Sequence, residues 1–241
     1  MKFYVGVTDN DWFRFLSQRR PDEVNFWRPS STNTFRAIEP GAPFLFKLHS
    51  PVNYIVGGGF FVAYSTLPLS LAWEAFGEKN GAASYGSFCT QVSRYRERKG
   101  QVEHDPQIGC IVLSNPFFLA EDHWIPVPRD WSLNLVQGKT YDTRELIGAA
   151  LWERIENSLQ ADEEKSLQPE TQSLSVAEEP ARYGAEYLTR ARLGQGTFRV
   201  LVTEAYNRRC ALTGERTLPV LQASHIKPFS RSDPNRLSRG Q

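Results

Sequence analysis

The sequence predicts an α+β protein in two parts: a strand-rich N-terminal domain with flanking helices, and a small helix-and-hairpin unit at the C-terminus. Three observations predict it. Aromatic and β-forming runs broken by Pro and Gly fill roughly the first 140 residues, an acidic stretch without aromatics follows, and the charge then turns basic. At 241 residues the chain is long enough for two modest cores. Its 28 basic and 27 acidic residues balance, so a polyanionic partner must be sought in local surplus rather than in the sum. No run of eighteen apolar residues occurs, and Met1-Lys2-Phe3-Tyr4-Val5-Gly6-Val7 reads as a strand rather than a signal peptide. A cytoplasmic protein with no membrane partner is expected. Cys89, Cys110 and Cys210 form no CxxC pair, which supports neither a disulfide framework nor a cysteine-based zinc site.

The first strand is expected at Phe3–Val7, and further strands at Pro43–Leu48, Tyr54–Tyr64 and Gln107–Phe117. Turns at Glu39-Pro40-Gly41-Ala42 and Ser50-Pro51-Val52-Asn53 bound them. Helices are expected at Asn10–Arg19, Pro68–Phe76 and Ser84–Arg98. The last carries a basic cluster, Arg94, Arg96, Arg98 and Lys99, that reads as a solvated face. Asp142 is a good N-cap with Glu145 three residues on, and Leu146, Ala149, Ala150 and Ile155 keep helical spacing to about Leu159. That helix closes a first domain at residue 160.

Residues 161–181 carry Asp162, Glu163, Glu164, Glu170, Glu178 and Glu179 against Lys165 alone. With so little apolar surface they read as a disordered acidic linker. Residues 182–241 invert the balance, with eleven basic side chains against four acidic. Such a surplus suits phosphate, and Arg208, Arg209, Lys227 and Arg231 are the candidate contacts.

Within that segment Thr197 can cap a helix Phe198–Tyr206, in which Phe198, Leu201, Val202, Ala205 and Tyr206 share one face. A Thr213-Gly214 turn and the run Leu218–Pro228 then suggest a hairpin with His225 on its second strand. The ordered set Gly194–Arg199, Ala205-Tyr206, Arg209–Gly214 and Ala223-Ser224-His225-Ile226-Lys227-Pro228 resembles the HNH endonuclease family, in its branch of predicted restriction endonucleases. The resemblance implies a ββα-metal fold holding one divalent ion (Mg2+, Mn2+ or Zn2+), with His225 as the general base that activates water against a DNA phosphodiester. A neutral imidazole is chemically suited to that step near pH 7. Cys210 reads as a packed thiol, since no second cysteine accompanies it. The family's later Asn and last His have no counterpart in Phe229–Gln241, where Arg239 falls at the asparagine's place and Asn235 is a poorly aligned substitute. The expectation is a truncated domain whose remaining metal ligands are missing from the chain, and which cuts DNA very poorly or not at all.

The N-terminal series Phe3–Phe13, Asn25-Phe26-Trp27, Pro40–Lys47 and Tyr54–Phe61 is similar to the PUA-like superfamily of small β-barrels, which includes readers of modified bases in DNA. Gly57-Gly58-Gly59 lacks the spacing of a nucleotide-phosphate loop and reads as a bulge or a close backbone approach in a barrel. A base-flipping reader needs aromatic walls and polar groups for the base edge. Trp12, Trp27, Asn10, Asp11 and Asn25 supply those types, with Trp73, Trp124 and Trp131 as weaker candidates and core burial the competing role for any of them.

Together these readings give a PUA-like recognition domain over 1–160, an acidic linker over 161–181 and the first part of an HNH domain over 182–241. The leading expectation is a modification-dependent restriction endonuclease acting on double-stranded DNA, with a homodimer as a candidate assembly. A non-catalytic DNA-binding module and an RNA-binding PUA-like protein are the alternatives.

Overall fold

The computed structural model describes residues 1–97, 104–132, 134–167, 195–206, 209–210 and 213–215. Seven strands form one mixed sheet: β1 (Lys2–Thr8), β2 (Glu23–Arg28), β3 (Pro43–Leu48), β4 (Tyr54–Pro68), β5 (Gln107–Phe118), β6 (Ile125–Pro126) and β7 (Gly138–Asp142). The order is β2-β5-β4-β3-β1-β7, with β6 paired to β4. β1 and β3 are parallel, and every other pairing is antiparallel. Five helices flank the sheet: α1 (Asn10–Arg19), α2 (Leu69–Phe76), α3 (Tyr85–Glu97), α4 (Leu146–Leu167) and α5 (Gln195–Ala205).

The expected barrel is not closed. Its would-be seam lies between β2 and β7, which are the two ends of the strand path and do not pair. The sheet still curls strongly: the ring of Phe26 on β2 lies 4.7 Å from Phe44 on β3, although two strands, β5 and β4, stand between them along the path. Side chains rather than backbone pairing fill the opening. Trp12 meets Phe26 and Phe46 edge-on, and Phe35, from the connection between β2 and β3, meets Tyr4, Phe44 and Phe61. Arg28, the last residue of β2, reaches Gln137 Oε1 beside β7 at 2.9 Å.

Alternation along β3 divides the interior into two cores. Phe44, Phe46 and Leu48 belong to the large one with α1, α2 and α3, whereas Leu45 joins Phe3, Val5, Ile55, Trp131, Leu151 and Ile155 beneath α4. The glycines of β4 are the close approach that was expected: a Cβ on Gly57 would run into the backbone oxygen of Phe117, and one on Gly58 would lie 2.7 Å from the Phe44 oxygen.

α4 runs on to Leu167, through the first residues of the expected linker. Ala, Glu and Lys are strong helix formers, so a composition read as disorder serves equally for a helix. Residues 168–181 lie outside the described residues, as do His225 and the rest of 216–241. α5 packs against α2 and β4 of the N-terminal domain, with Val200 buried.

Because the obstacle to Gly57 is main chain and cannot rotate away, Gly57→Ala should destabilise the protein by roughly 1–3 kcal/mol. Thermal unfolding should show this as a loss of about 2–4 °C for each kcal/mol, and an unchanged midpoint would refute the packing described.

Candidate nucleic-acid interface

The five residues singled out for base recognition come together around the start of α1, but at different depths. Asp9 is the N-cap: its Oδ1 accepts from the amides of Asp11 (2.8 Å) and Trp12 (3.0 Å), and its Oδ2 accepts the hydroxyl of Tyr95 on α3 (2.6 Å). This one carboxylate therefore starts α1 and ties it to α3. Asn10 Oδ1 accepts from the amide of His49 at 3.0 Å, joining α1 to the loop after β3. Asp11 is exposed, with Arg14 at 3.7 Å and Arg94 at 3.9 Å. Ion pairs this exposed contribute ~1 kcal/mol at most, so both guanidiniums can exchange Asp11 for another anion at little cost.

Trp12, Asn25 and Trp27 lie beneath that rim, in the interior. The Trp12 indole N–H donates to the Asn25 carbonyl at 3.3 Å, and its ring is wedged among Phe26, Phe46 and Gly81. The Trp27 N–H donates to the Asn80 carbonyl at 3.0 Å, with Phe88 and Tyr95 against the ring. Both rings are thus held as core, and neither offers an open face to a base in this conformation. Trp131 is buried too, and Trp73 and Trp124 pack at the margin of the large core.

Asn25 is fully buried, and its Nδ2 donates to Asn80 Oδ1 at 2.8 Å and to Cys110 Sγ at 3.4 Å. Its Oδ1 finds no donor among the described residues. Gln91 on α3 is similar: Nε2 donates to the Gly81 carbonyl at 3.3 Å, while the enclosed Oε1 has no donor. Among the described residues these two buried amide oxygens are thus left without donors, an uncommon state for enclosed polar groups. The residues that residue-type reasoning missed here are Asn80, Gln91 and Tyr95. Of the capping group, Asp9 alone had a visible signal, as an Asp directly before a predicted helix.

The basic cluster on α3 divides. Arg94 is exposed, but Arg96 is buried and donates to the Pro29 carbonyl at 2.7 Å, holding the crossing loop in place. The solvated-face expectation therefore holds for Arg94 and not for Arg96, because the β2–β3 connection folds back over the helix.

Of the candidate phosphate contacts, Arg209 is exposed, and its amide donates to the Tyr206 carbonyl at 3.1 Å. Arg208, Lys227 and Arg231 lie outside the described residues. The Cys210 amide donates to the Glu215 carbonyl at 2.8 Å, and the Gly214 amide, at φ +72°, donates to the Cys210 carbonyl at 3.0 Å. These bonds close a turn where one was expected. Cys210 is only half-buried, and its Sγ accepts from the Thr213 amide at 3.5 Å. Among the described residues no group of three or more His, Cys, Asp or Glu could hold a metal ion, and no helix is long and apolar enough to cross a membrane.

No known family and no curated protein matches the sequence. Among solved structures, ASCH from Zymomonas mobilis is similar at 10% identity and a TM-score of 0.44, over 63% of this chain and 94% of that one. A single-substitution variant of it gives 11% and 0.44, over 64% and 98%. Neither ligand nor activity carries across at that level of likeness.

Behind the rim, Lys47 is 4% exposed on the face of β3 beneath Trp131. Its ammonium donates to Asn53 Oδ1 at 2.6 Å and lies 5.4 Å from the Trp131 ring centre. Burial pushes its pKa below the usual lysine value. The folded protein therefore gives up this proton at a lower pH than the unfolded chain does. Between the two values the unfolded state binds more protons, and stability climbs as pH rises. Lys47→Met should remove that alkaline climb and raise stability at pH 7; parallel curves for the two proteins in denaturant titrations from pH 7 to 10.5 would show that the ammonium is not desolvated.

Proposed function

We propose that this protein binds double-stranded DNA, and that its C-terminal segment is the opening part of an HNH nuclease domain. The observation that carries the reading is the ordered run from Gly194 to Pro228 ending in His225, set in a segment with eleven basic and four acidic residues. The docking of α5, the helix that opens this run, supports it by keeping the start of the basic segment against the N-terminal domain. The exposed Arg14 and Arg94, which among the described residues pair with the solvent-exposed Asp11, add cationic groups on that domain.

Base recognition, including recognition of a modified base, belongs to the same proposal. Asn25 Oδ1 and Gln91 Oε1 could each accept from an exocyclic amino group, but the tryptophans around them would have to part first. His225 is the proposed general base and a divalent ion the proposed cofactor, resting on the sequence resemblance alone. His225 is the one member of the family's base and ligand set that the resemblance identifies in these 241 residues, and the proposal takes this polypeptide to bind DNA without cutting it.

Two measurements check this. Fluorescence anisotropy with a labelled duplex should give binding that weakens steeply with salt, by tenfold or more between about 50 and 200 mM if several phosphates are contacted. Salt-independent binding, or tighter binding to RNA of the same sequence, would move the assignment away from DNA, and equal affinity for plain and cytosine-modified duplexes would remove the modified-base reading. Incubation of supercoiled plasmid with Mg2+ or Mn2+ should leave it intact; nicking that disappears in His225→Ala would show that the chain is a working nuclease.

A further inference from the structure

The start of α5 is satisfied by a carboxylate from the far end of the chain. Glu23, on β2, is 1% exposed, and its oxygens accept from the amides of Gly196 at 3.0 Å and Thr197 at 2.9 Å and from the Thr197 hydroxyl. These amides belong to the first turn of α5, where backbone donors have no partner within the helix. The same carboxylate pairs with Lys79 Nζ at 3.0 Å, and Lys79 also holds Asp22 at 2.6 Å. Burial works against the Lys79 ammonium, but its hydrogen bonds to Asp22 and Glu23 outweigh this and raise its pKa. Around this centre Arg199 reaches Glu74 at 3.0 Å, and Gly196 lies so close to Phe76 that a Cβ would sit 2.5 Å from its ring.

Lys79 is followed by Asn80, and the two belong to one short 3-10 turn, Gly77–Asn80. Alternation along β2 places Glu23, Asn25 and Trp27 on one face, and that face runs along this turn. Lys79 holds Glu23, Asn80 Oδ1 holds Asn25, and the Asn80 carbonyl holds Trp27. Asn80 is fixed in turn by donating to the Ala72 (3.1 Å) and Gly77 (2.8 Å) carbonyls. One turn therefore carries both the latch on α5 and the floor of the candidate interface.

We propose that the Gly77–Asn80 turn couples the tryptophan–amide cluster to the docking of α5, with Glu23 as the positioning residue. α5 is the two-state element, docked or released. Anything that shifts Asn25 or Trp27 moves the turn, and with it the Lys79 ammonium that helps hold the Glu23 carboxylate in place. Linkage makes the effect reciprocal, so release of α5 loosens the cluster. The device stands on the contacts themselves; only its use in DNA binding rests on the proposed function.

Amide hydrogen exchange on the full 241-residue chain tests it, reading α5 against the central strands β4 and β5. Glu23→Gln should speed exchange at Gly196, Thr197 and the rest of α5 by roughly tenfold with β4 and β5 unchanged, as expected for loss of a charge-assisted cap. The decisive variant is Trp27→Phe, which removes the N–H to Asn80, keeps a ring against Phe88 and Tyr95, and lies four residues along β2 from Glu23. It should speed α5 exchange by about threefold or more, the scale of one hydrogen bond, again without change in β4 and β5. α5 exchange that is unchanged, or that rises only in step with the central strands, would overturn the coupling. Asn25→Ala, which removes the amide donated to Asn80 Oδ1 and leaves Lys79 and Glu23 in place, gives the same reading if Trp27→Phe does not fold. Adding duplex DNA to the wild type separates the two proposals: altered α5 exchange supports use of the latch in binding, whereas no change together with the variant effects leaves the device in place and removes its link to DNA.

Discussion

A carboxylate buried to the extent of Glu23 must be met by donors, since an unpaired ion in the interior costs several kcal/mol. Here two backbone amides, a hydroxyl and an ammonium meet it; the first three come from α5 and the fourth from the Gly77–Asn80 turn, both remote in sequence from β2. The requirement acts on the whole arrangement. It fixes where α5 begins, holds the Gly77–Asn80 turn against β2, and so sets the position of Asn80, on which Asn25 and Trp27 depend. The helix N-terminus contributes as well, because its aligned peptide dipoles favour an anion there.

The same constraint explains why the interior beside β2 is polar. Asn25 and Asn80 are both fully buried, and their mutual hydrogen bond lets side chains that prefer water remain in the core. Each added requirement narrows the choices at its neighbours: Trp12 and Trp27 both spend their N–H groups on carbonyls of this network. Within this cluster Asn25 Oδ1 and Gln91 Oε1 find no donor among the described residues. The residues proposed for base recognition are thus also structural, and under the coupling proposed above the tryptophans could not serve a ligand without disturbing the contacts that hold α5.

Much of the architecture was legible where local chemistry and burial agree. Asn10–Arg19 has an Asp cap before an amphipathic run, and its bounds are those read from the sequence; β3 shows an apolar run between turns. β2 was not legible as a strand, because Glu23 and Asn25 look like a solvated face and are in fact covered by the turn and by α5. β7 is short and pairs only with β1, with too few apolar residues to stand out. Thr197 was read as the cap of its own helix. The helix instead begins at Gln195 and takes its cap from Glu23, a partner that no local pattern could reveal. The five residues chosen for base recognition lie near one another, but residue type alone did not tell rim from core.

The claim on which this account depends is that Glu23 and Thr197 hold each other across the fold. A double-mutant cycle tests it most directly, with Glu23→Gln, Thr197→Val and the double variant unfolded in urea. The account predicts a coupling of roughly 1–3 kcal/mol, the range for a buried hydrogen bond to a charged group. Additive effects, with a coupling near zero, would contradict it and leave α5 held by apolar packing and the Arg199–Glu74 pair.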